Sequence, residues 1–224
     1  MRYILLFISF YVFAQQPVDL LPVYGQPQAK RISIEKVILQ IRELKTQSSI
    51  KYGDAVDFYF KKIISSGKNQ WVEKLEEFSL DPECPAKNKV KINEIIQRLR
   101  TLQIGEKAPN ILTQNFNLHL HKSKTKSLLL LFYSPSCFHC TELLVDLIPY
   151  SEKVKLPVIA IQIDEELNNW TFPPHWKSIK ANEKVLKEYS ILSTPSLFLI
   201  QRNSMRISAI PENMSEIKKS EHLF

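Results

Sequence analysis

Three absences narrow the reading of this chain. Cysteine is scarce: the 224 residues hold only three, a close pair at Cys137 and Cys140 and a lone Cys84. A structural zinc site needs about four ligands, and no second pair with matching spacing exists. Long apolar runs are also missing, because the most hydrophobic stretch, Tyr3 to Phe13, falls short of the roughly 20 residues of a bilayer-spanning helix. The sequence has no internal repeat, no low-complexity tract and no basic stripe interleaved with aromatics. Those absences argue against a solenoid, a disordered chain and a nucleic-acid-binding surface.

What is present suits a folded protein of two units. The chain is 44% hydrophobic and 24% charged, enough apolar material to bury a core. Its length accommodates a domain of about 100 to 150 residues plus a second module. The formal charge is +7 with a pI near 9.2. The lysines are spread from Lys30 to Lys219 with acids between them, as on a solvated surface, and the charge identifies no partner.

The first residues read as a targeting signal. Arg2 precedes the apolar run, and Ala14 offers a small residue at its exit before polar Gln15 and Gln16. This is the make-up of a cleaved secretory signal peptide over residues 1–14; the alternative is a buried N-terminal strand or helix. No cysteine follows to carry a lipid. The expectation is an exported protein, periplasmic or secreted, with no stable membrane span after cleavage, in a compartment where disulfides persist.

Residues 15–30, with Pro17, Pro22, Gly25 and Pro27, read as an extended lead-in. Residues 31–102 read as a helical module. Ile34, Val37, Ile38, Ile41 and Leu44 recur at helical spacing after the capping residue Ser33. Further helices are expected over about 54–64 and 70–78, and over 89–102, where Ile92, Ile95, Ile96 and Leu99 form one stripe. Cys84 falls in a loop, Asp81-Pro-Glu-Cys-Pro85, as a free or buried thiol, an intermolecular disulfide partner, or a resolving partner for the downstream pair.

From residue 103 to 224 the pattern becomes α/β with a mixed sheet. Gly105-Glu-Lys-Ala-Pro109 is rich in turn residues, and the alternation from Phe116 to Leu120 suggests a short strand. The unbroken run Leu128 to Tyr133 fits a central strand covered on both faces. A helix over 141–150, a buried strand over 157–163, a loop with Trp170 and Trp176, and a helix over 182–189 follow. Strands over 195–200 and 206–210 form a hairpin, and the tail 211–224 offers a short helix.

The chemistry gathers where the central strand meets the next helix, at Ser134-Pro-Ser-Cys137-Phe-His-Cys140. A helix N-terminus presents free amide hydrogens and a partial positive charge, which favour a thiolate over a thiol. Cys137 is placed there as the nucleophile, and Cys140, a turn further in, as the residue that resolves a mixed disulfide. His139 and Phe138 between them are candidates for redox tuning. A protonated His139 would stabilise the reduced pair and make the disulfide more oxidising; a solvent-facing histidine without influence is the plain alternative. His119 and His121, on one face of the expected strand, read as surface residues, with a mixed metal site the weaker option.

Taken in order, Gly105-Glu-Lys-Ala-Pro109, the apolar strand, Cys137-Phe-His-Cys140, and Ser193-Thr194-Pro195 before a further apolar strand resemble the bacterial periplasmic thioredoxin-like proteins of the TlpA and ResA type. The resemblance covers about residues 102–210. It implies a thioredoxin-like fold with a central mixed sheet and thiol-disulfide oxidoreductase activity without a cofactor or metal. It also implies protein thiol or disulfide substrates and a redox partner protein; no oligomeric state follows from it. Pro195 corresponds to the family's cis-proline facing the dithiol, and Thr194 to the residue whose backbone hydrogen-bonds an incoming peptide.

The chain departs from that pattern in three places. Ser136 and Phe138 stand where a tryptophan and a proline are common, and Leu131 stands where classical thioredoxins bury a proton-carrying aspartate. Asp164 and Glu165, just past the next strand, are the candidates to take over. The resemblance favours reduction, including cytochrome maturation, whereas His139 favours oxidation or isomerisation. Two alternatives accompany the oxidoreductase: a redox-inactive binding module on the same scaffold, and a peroxiredoxin-like peroxidase, in which Tyr133 would occupy a position that needs threonine.

Overall fold

The computed structural model describes residues 20–121, 125–167 and 170–221. The expected signal peptide lies outside the described residues, as does the start of the lead-in. The rest of the lead-in is extended but paired: β1 (Leu21–Val23) and β2 (Gln26–Ile32) form an antiparallel hairpin. Gly25 makes the turn at φ +80, in the left-handed region that costs glycine little.

Helices α1 (Ile34–Gln47), α2 (Ser49–Ser65), α3 (Glu76–Leu80) and α4 (Lys89–Arg100) follow, with a 3-10 segment at Asn69–Leu75 ahead of α3. Their apolar stripes close on one another, with Val37, Ile41, Val56, Tyr59, Ile92 and Ile96 buried in a common core. The second helix starts earlier than its apolar pattern suggests. Ser48 caps it by accepting the Lys51 N–H at 3.4 Å, and Gly53 lies inside it. A Cβ on Gly53 would stand 2.7 Å from Pro85 Cγ and 2.9 Å from the Ala86 nitrogen, so this glycine serves close packing rather than a break. The expected helix over 70–78 is divided between the 3-10 segment and α3.

Cys84 is buried in this helical core. The dithiol belongs to a different core, in the second half of the chain.

That second half is built on a five-stranded sheet in the order β7-β6-β5-β8-β9. Its strands are β5 (Ser127–Tyr133), β6 (Val158–Gln162), β7 (Lys177–Lys180), β8 (Ser196–Gln201) and β9 (Arg206–Ala209), preceded by a small hairpin, β3 (Leu112–Thr113) and β4 (Phe116–Asn117). β5, β6 and β7 run parallel, β8 runs antiparallel to β5, and β9 runs antiparallel to β8. Every residue of β5 is buried, and successive side chains feed opposite faces. Leu128, Leu130 and Phe132 join Val185 and Tyr189 on one side. Leu129, Leu131 and Tyr133 join Cys140, Leu144 and Leu147 on the other. The helices are α5 (Phe138–Val154), α6 (Glu183–Glu188) and α7 (Met214–Glu221).

Two expectations are corrected here. The strand expected over Phe116–Leu120 ends at Asn117, whose side chain accepts the Leu120 N–H at 3.3 Å and caps a 3-10 turn over Leu118–Leu120. His119 and His121 therefore share no strand face: His119 Nε2 lies 2.9 Å from the Ala108 carbonyl, and His121 packs on the Phe116 ring. Strand β7 falls in what reads as loop, because Lys177-Ser-Ile-Lys180 is a mostly exposed edge whose conformation comes from its pairing with β6.

Candidate active site

The candidate site forms where β5 stops. After Tyr133 the chain turns through Ser134 to Ser136, and Cys137 becomes the N-cap of α5, with φ −75 and ψ 113. Its side chain does what a serine does at such a cap: the Sγ accepts the Cys140 N–H at 3.2 Å. The helix therefore starts at Phe138, earlier than the apolar pattern alone suggests, and one of its first-turn amides, that of Cys140, points at the sulfur. The same sulfur donates its hydrogen to the Thr194 carbonyl oxygen at 3.3 Å. Thr194 precedes Pro195 through a cis peptide bond at the start of β8. Four of the residues singled out in the sequence, Cys137, Cys140, Thr194 and Pro195, are thus brought to one end of the sheet.

The two thiols differ in environment. Both are free; Cys137 is partly exposed, whereas Cys140 is buried. Burial, with the neighbouring Cys137 thiol, pushes the Cys140 thiol up to about 12. Cys140 stays protonated at neutral pH until a base takes its proton.

The strand position corresponding to the usual proton carrier holds Leu131, fully buried among apolar neighbours. Ser134 offers another connection. Its backbone favours ionisation of the Cys140 thiol, and its hydroxyl, 3.1 Å from that of Ser136, favours the ionised form of Asp164. Burial opposes ionisation of Asp164, but hydrogen bonds from Ser134 and Gln162 outweigh it and hold the carboxyl below its usual value. Glu165 points elsewhere: its side chain is 92% exposed and paired with Lys180.

His139 and Phe138 sit on the outer face of the first turn of α5. His139 Nδ1 lies 3.1 Å from a Glu142 carboxylate oxygen, so its ring is engaged along the helix rather than with the sulfur. Phe138 is 69% exposed and meets the His139 ring edge to face. Tyr133 is buried, with Phe172 edge-on and Phe172 stacked on Trp176. Among the described residues no group of three or more His, Cys, Asp and Glu side chains could hold a metal ion.

Sequence reasoning left two contributors unnamed. Ser134 reads only as a turn residue, and its influence on both Cys140 and Asp164 requires the sheet and the turn together. The segment Gly67–Gln70 of the helical module abuts the loop before Pro195, with the Ser193 hydroxyl donating to Asn69 Oδ1 at 3.5 Å. No local pattern signals that meeting, because 124 residues separate the partners.

A mixed sheet with a Cys-x-x-Cys pair capping the helix after its central strand, opposite a cis-proline, defines a thioredoxin-like protein. The family model described as TraF, F plasmid transfer operon protein, matches residues 69–215, more than half of the chain. The chain belongs to this thioredoxin-like family.

Among solved structures, a thioredoxin-like protein from Bacteroides caccae is similar with a TM-score of 0.51 and 19% identity, over 86% of this chain and 77% of its own. That span exceeds the thioredoxin-like half and reaches into the helical module. The thioredoxin domain of a thiol-disulfide oxidoreductase from Bacteroides vulgatus gives a TM-score of 0.45 and 19% identity, over 55% of this chain and 98% of its own. StoA from Bacillus subtilis gives 0.36 and 18%, over 44% and 84%. No curated protein matches the sequence.

Proposed function

We propose that this protein is a thiol-disulfide oxidoreductase that exchanges disulfides with protein substrates outside the cytoplasm, using Cys137 as nucleophile and Cys140 as resolving thiol. The observation that carries the proposal is the Cys137 sulfur at the N-cap of α5, held between the Cys140 N–H and the Thr194 carbonyl. Fixed amide dipoles at that place favour negative charge on sulfur.

In the reducing direction the Cys137 thiolate attacks one sulfur of a substrate disulfide. A Cys137–substrate disulfide forms, and the other substrate sulfur leaves as a thiolate. Cys140 then loses its proton and attacks the Cys137 sulfur, forming the Cys137–Cys140 disulfide and releasing the second substrate thiolate. Two electrons have passed to the substrate, and a redox partner protein must return two before the next cycle. Run backwards, the same steps oxidise a substrate dithiol. Export is supported by Arg2, the apolar run to Phe13 and Ala14.

The test is insulin reduction and oxidation of reduced ribonuclease by the full chain, beside Cys137→Ser. Activity in either assay that vanishes in the variant is the expected result. Wild type and variant equally inert in both would leave a binding module on a thioredoxin-like scaffold.

A further inference from the structure

Beside the dithiol a cleft of about 1140 Å³ opens between the two halves of the chain. One wall is the helical module, from Ser65 to Gln70; the other includes Thr194 and Pro195 together with His139 and Glu142 of α5. The module is braced against the thioredoxin-like half at this point. Lys68 pairs with Glu212 at 3.3 Å, Gln70 hydrogen-bonds the same carboxylate, and Ser193 donates to Asn69. The cleft is larger than the usual small-molecule pocket of about 300–1,000 Å³, and its volume suits a stretch of polypeptide. It begins at Thr194, whose carbonyl lies 3.3 Å from the Cys137 sulfur.

Its lining is unlike the rest of the molecule. The chain as a whole carries +7, yet four carboxylates, Glu73, Glu142, Asp146 and Glu212, line the cleft against a single lysine, Lys68, which is already paired with Glu212. The exposed apolar side chains of Ile104 and Ile210 add a surface for aliphatic contact. Ser190, which also lines the cleft, is only 5% exposed, and its hydroxyl has no hydrogen-bond partner. A buried polar group left in that condition costs free energy.

We propose that this cleft receives extended polypeptide substrates whose reactive cysteine is flanked by lysine or arginine, with the helical module forming the wall of the cleft. The proposal rests on the oxidoreductase reading and adds the chemistry of the substrate. The concentration of carboxylates in a recess raises the local concentration of cationic segments and speeds their encounter with Cys137, an effect that salt screens.

Three cysteine peptides test it, identical except for lysine, serine or glutamate on either side of the cysteine, each carrying its sulfur as a mixed disulfide with thionitrobenzoate. Attack by the reduced full chain on the peptide sulfur releases thionitrobenzoate, which is followed by absorbance. The expected order of second-order rate constants is lysine, serine, glutamate, spread over about tenfold at low ionic strength. The spread should collapse in high salt and in the double variant Glu73→Gln/Asp146→Asn. Glu43→Gln, on α1 and outside the cleft, should retain it.

Equal rates for the three peptides, a spread that persists in the double variant, or its loss in Glu43→Gln would each overturn the proposal. A parallel reaction of wild type with dithionitrobenzoate separates the two readings. No reaction there removes the oxidoreductase itself, whereas reaction without charge preference among the peptides removes only the cleft.

Discussion

The Cys137 sulfur and the Thr194 carbonyl oxygen lie 3.3 Å apart although 57 residues separate them in the chain. In the proposed mechanism this places the nucleophile where β8 begins, so that a substrate strand reaching Cys137 would also meet the Thr194 backbone. The two thiols differ in their surroundings, one partly exposed at a helix end and one buried beneath it.

That division predicts different behaviour from the two serine variants. Cys137→Ser should fall to background in insulin reduction. Cys140→Ser should form the first mixed disulfide and stall, so that a substrate-linked adduct accumulates and is visible by mass under non-reducing conditions. An adduct on Cys140 in the Cys137→Ser protein would reverse the assignment.

The influence of Ser134 on both the Cys140 thiol and the Asp164 carboxyl predicts that Asp164 acts in the second step alone. Asp164→Asn should slow release of substrate from the mixed disulfide at neutral pH by about tenfold or more. Formation of the mixed disulfide should be little changed. Rapid mixing with acid quench resolves the two steps, and equal slowing of both would show that Asp164 acts on structure instead.

Burial of Cys140 also predicts alkaline sensitivity of the reduced protein. In the unfolded chain its thiol ionises around its ordinary value of 9.0, whereas the folded protein holds it to about 12. Between those values the unfolded chain binds fewer protons, so stability falls as pH rises, by about 1.4 kcal/mol per pH unit for one group. Buried Tyr189, also raised from its ordinary 10.0, acts in the same direction. Denaturant unfolding under reducing conditions should give a shallower fall for Cys140→Ser than for wild type between about pH 9 and 11.

In the helical module, Gly53→Ala should destabilise by about 1–3 kcal/mol, because the added Cβ would overlap the Pro85 ring and the Ala86 backbone. Exposed Lys51→Ala, two residues earlier in the same helix, is the comparison. Equal midpoints for the two variants in denaturant would mean that the loop over Pro85 yields without cost.

The route from sequence to site was direct in some places and closed in others. Leu128 to Tyr133 announced a buried central strand because its apolar run is unbroken, and the Cys-x-x-Cys spacing announced the dithiol because both cysteines must fall within the first turn of a helix. The lead-in read as merely extended, since a hairpin depends on which residues pair. The start of α5 at Phe138 could not be read from apolar spacing, because the cap that sets it is the sulfur of Cys137.

What the sequence by itself determined is therefore local: the periodicities that divide the chain into a helical module and an α/β half, and the pair of cysteines at a strand-to-helix junction. The tertiary structure decided the relations between distant segments. It brought Thr194 to Cys137, Ser134 between Cys140 and Asp164, and the helical module against the loop before Pro195. Edge strand β7 belongs with these, because a short polar segment becomes a strand only when β6 presents its backbone. The physical reason is common to all of them. Periodicity and capping act over a few residues, whereas a site depends on contacts across the chain that form only once the apolar faces have packed.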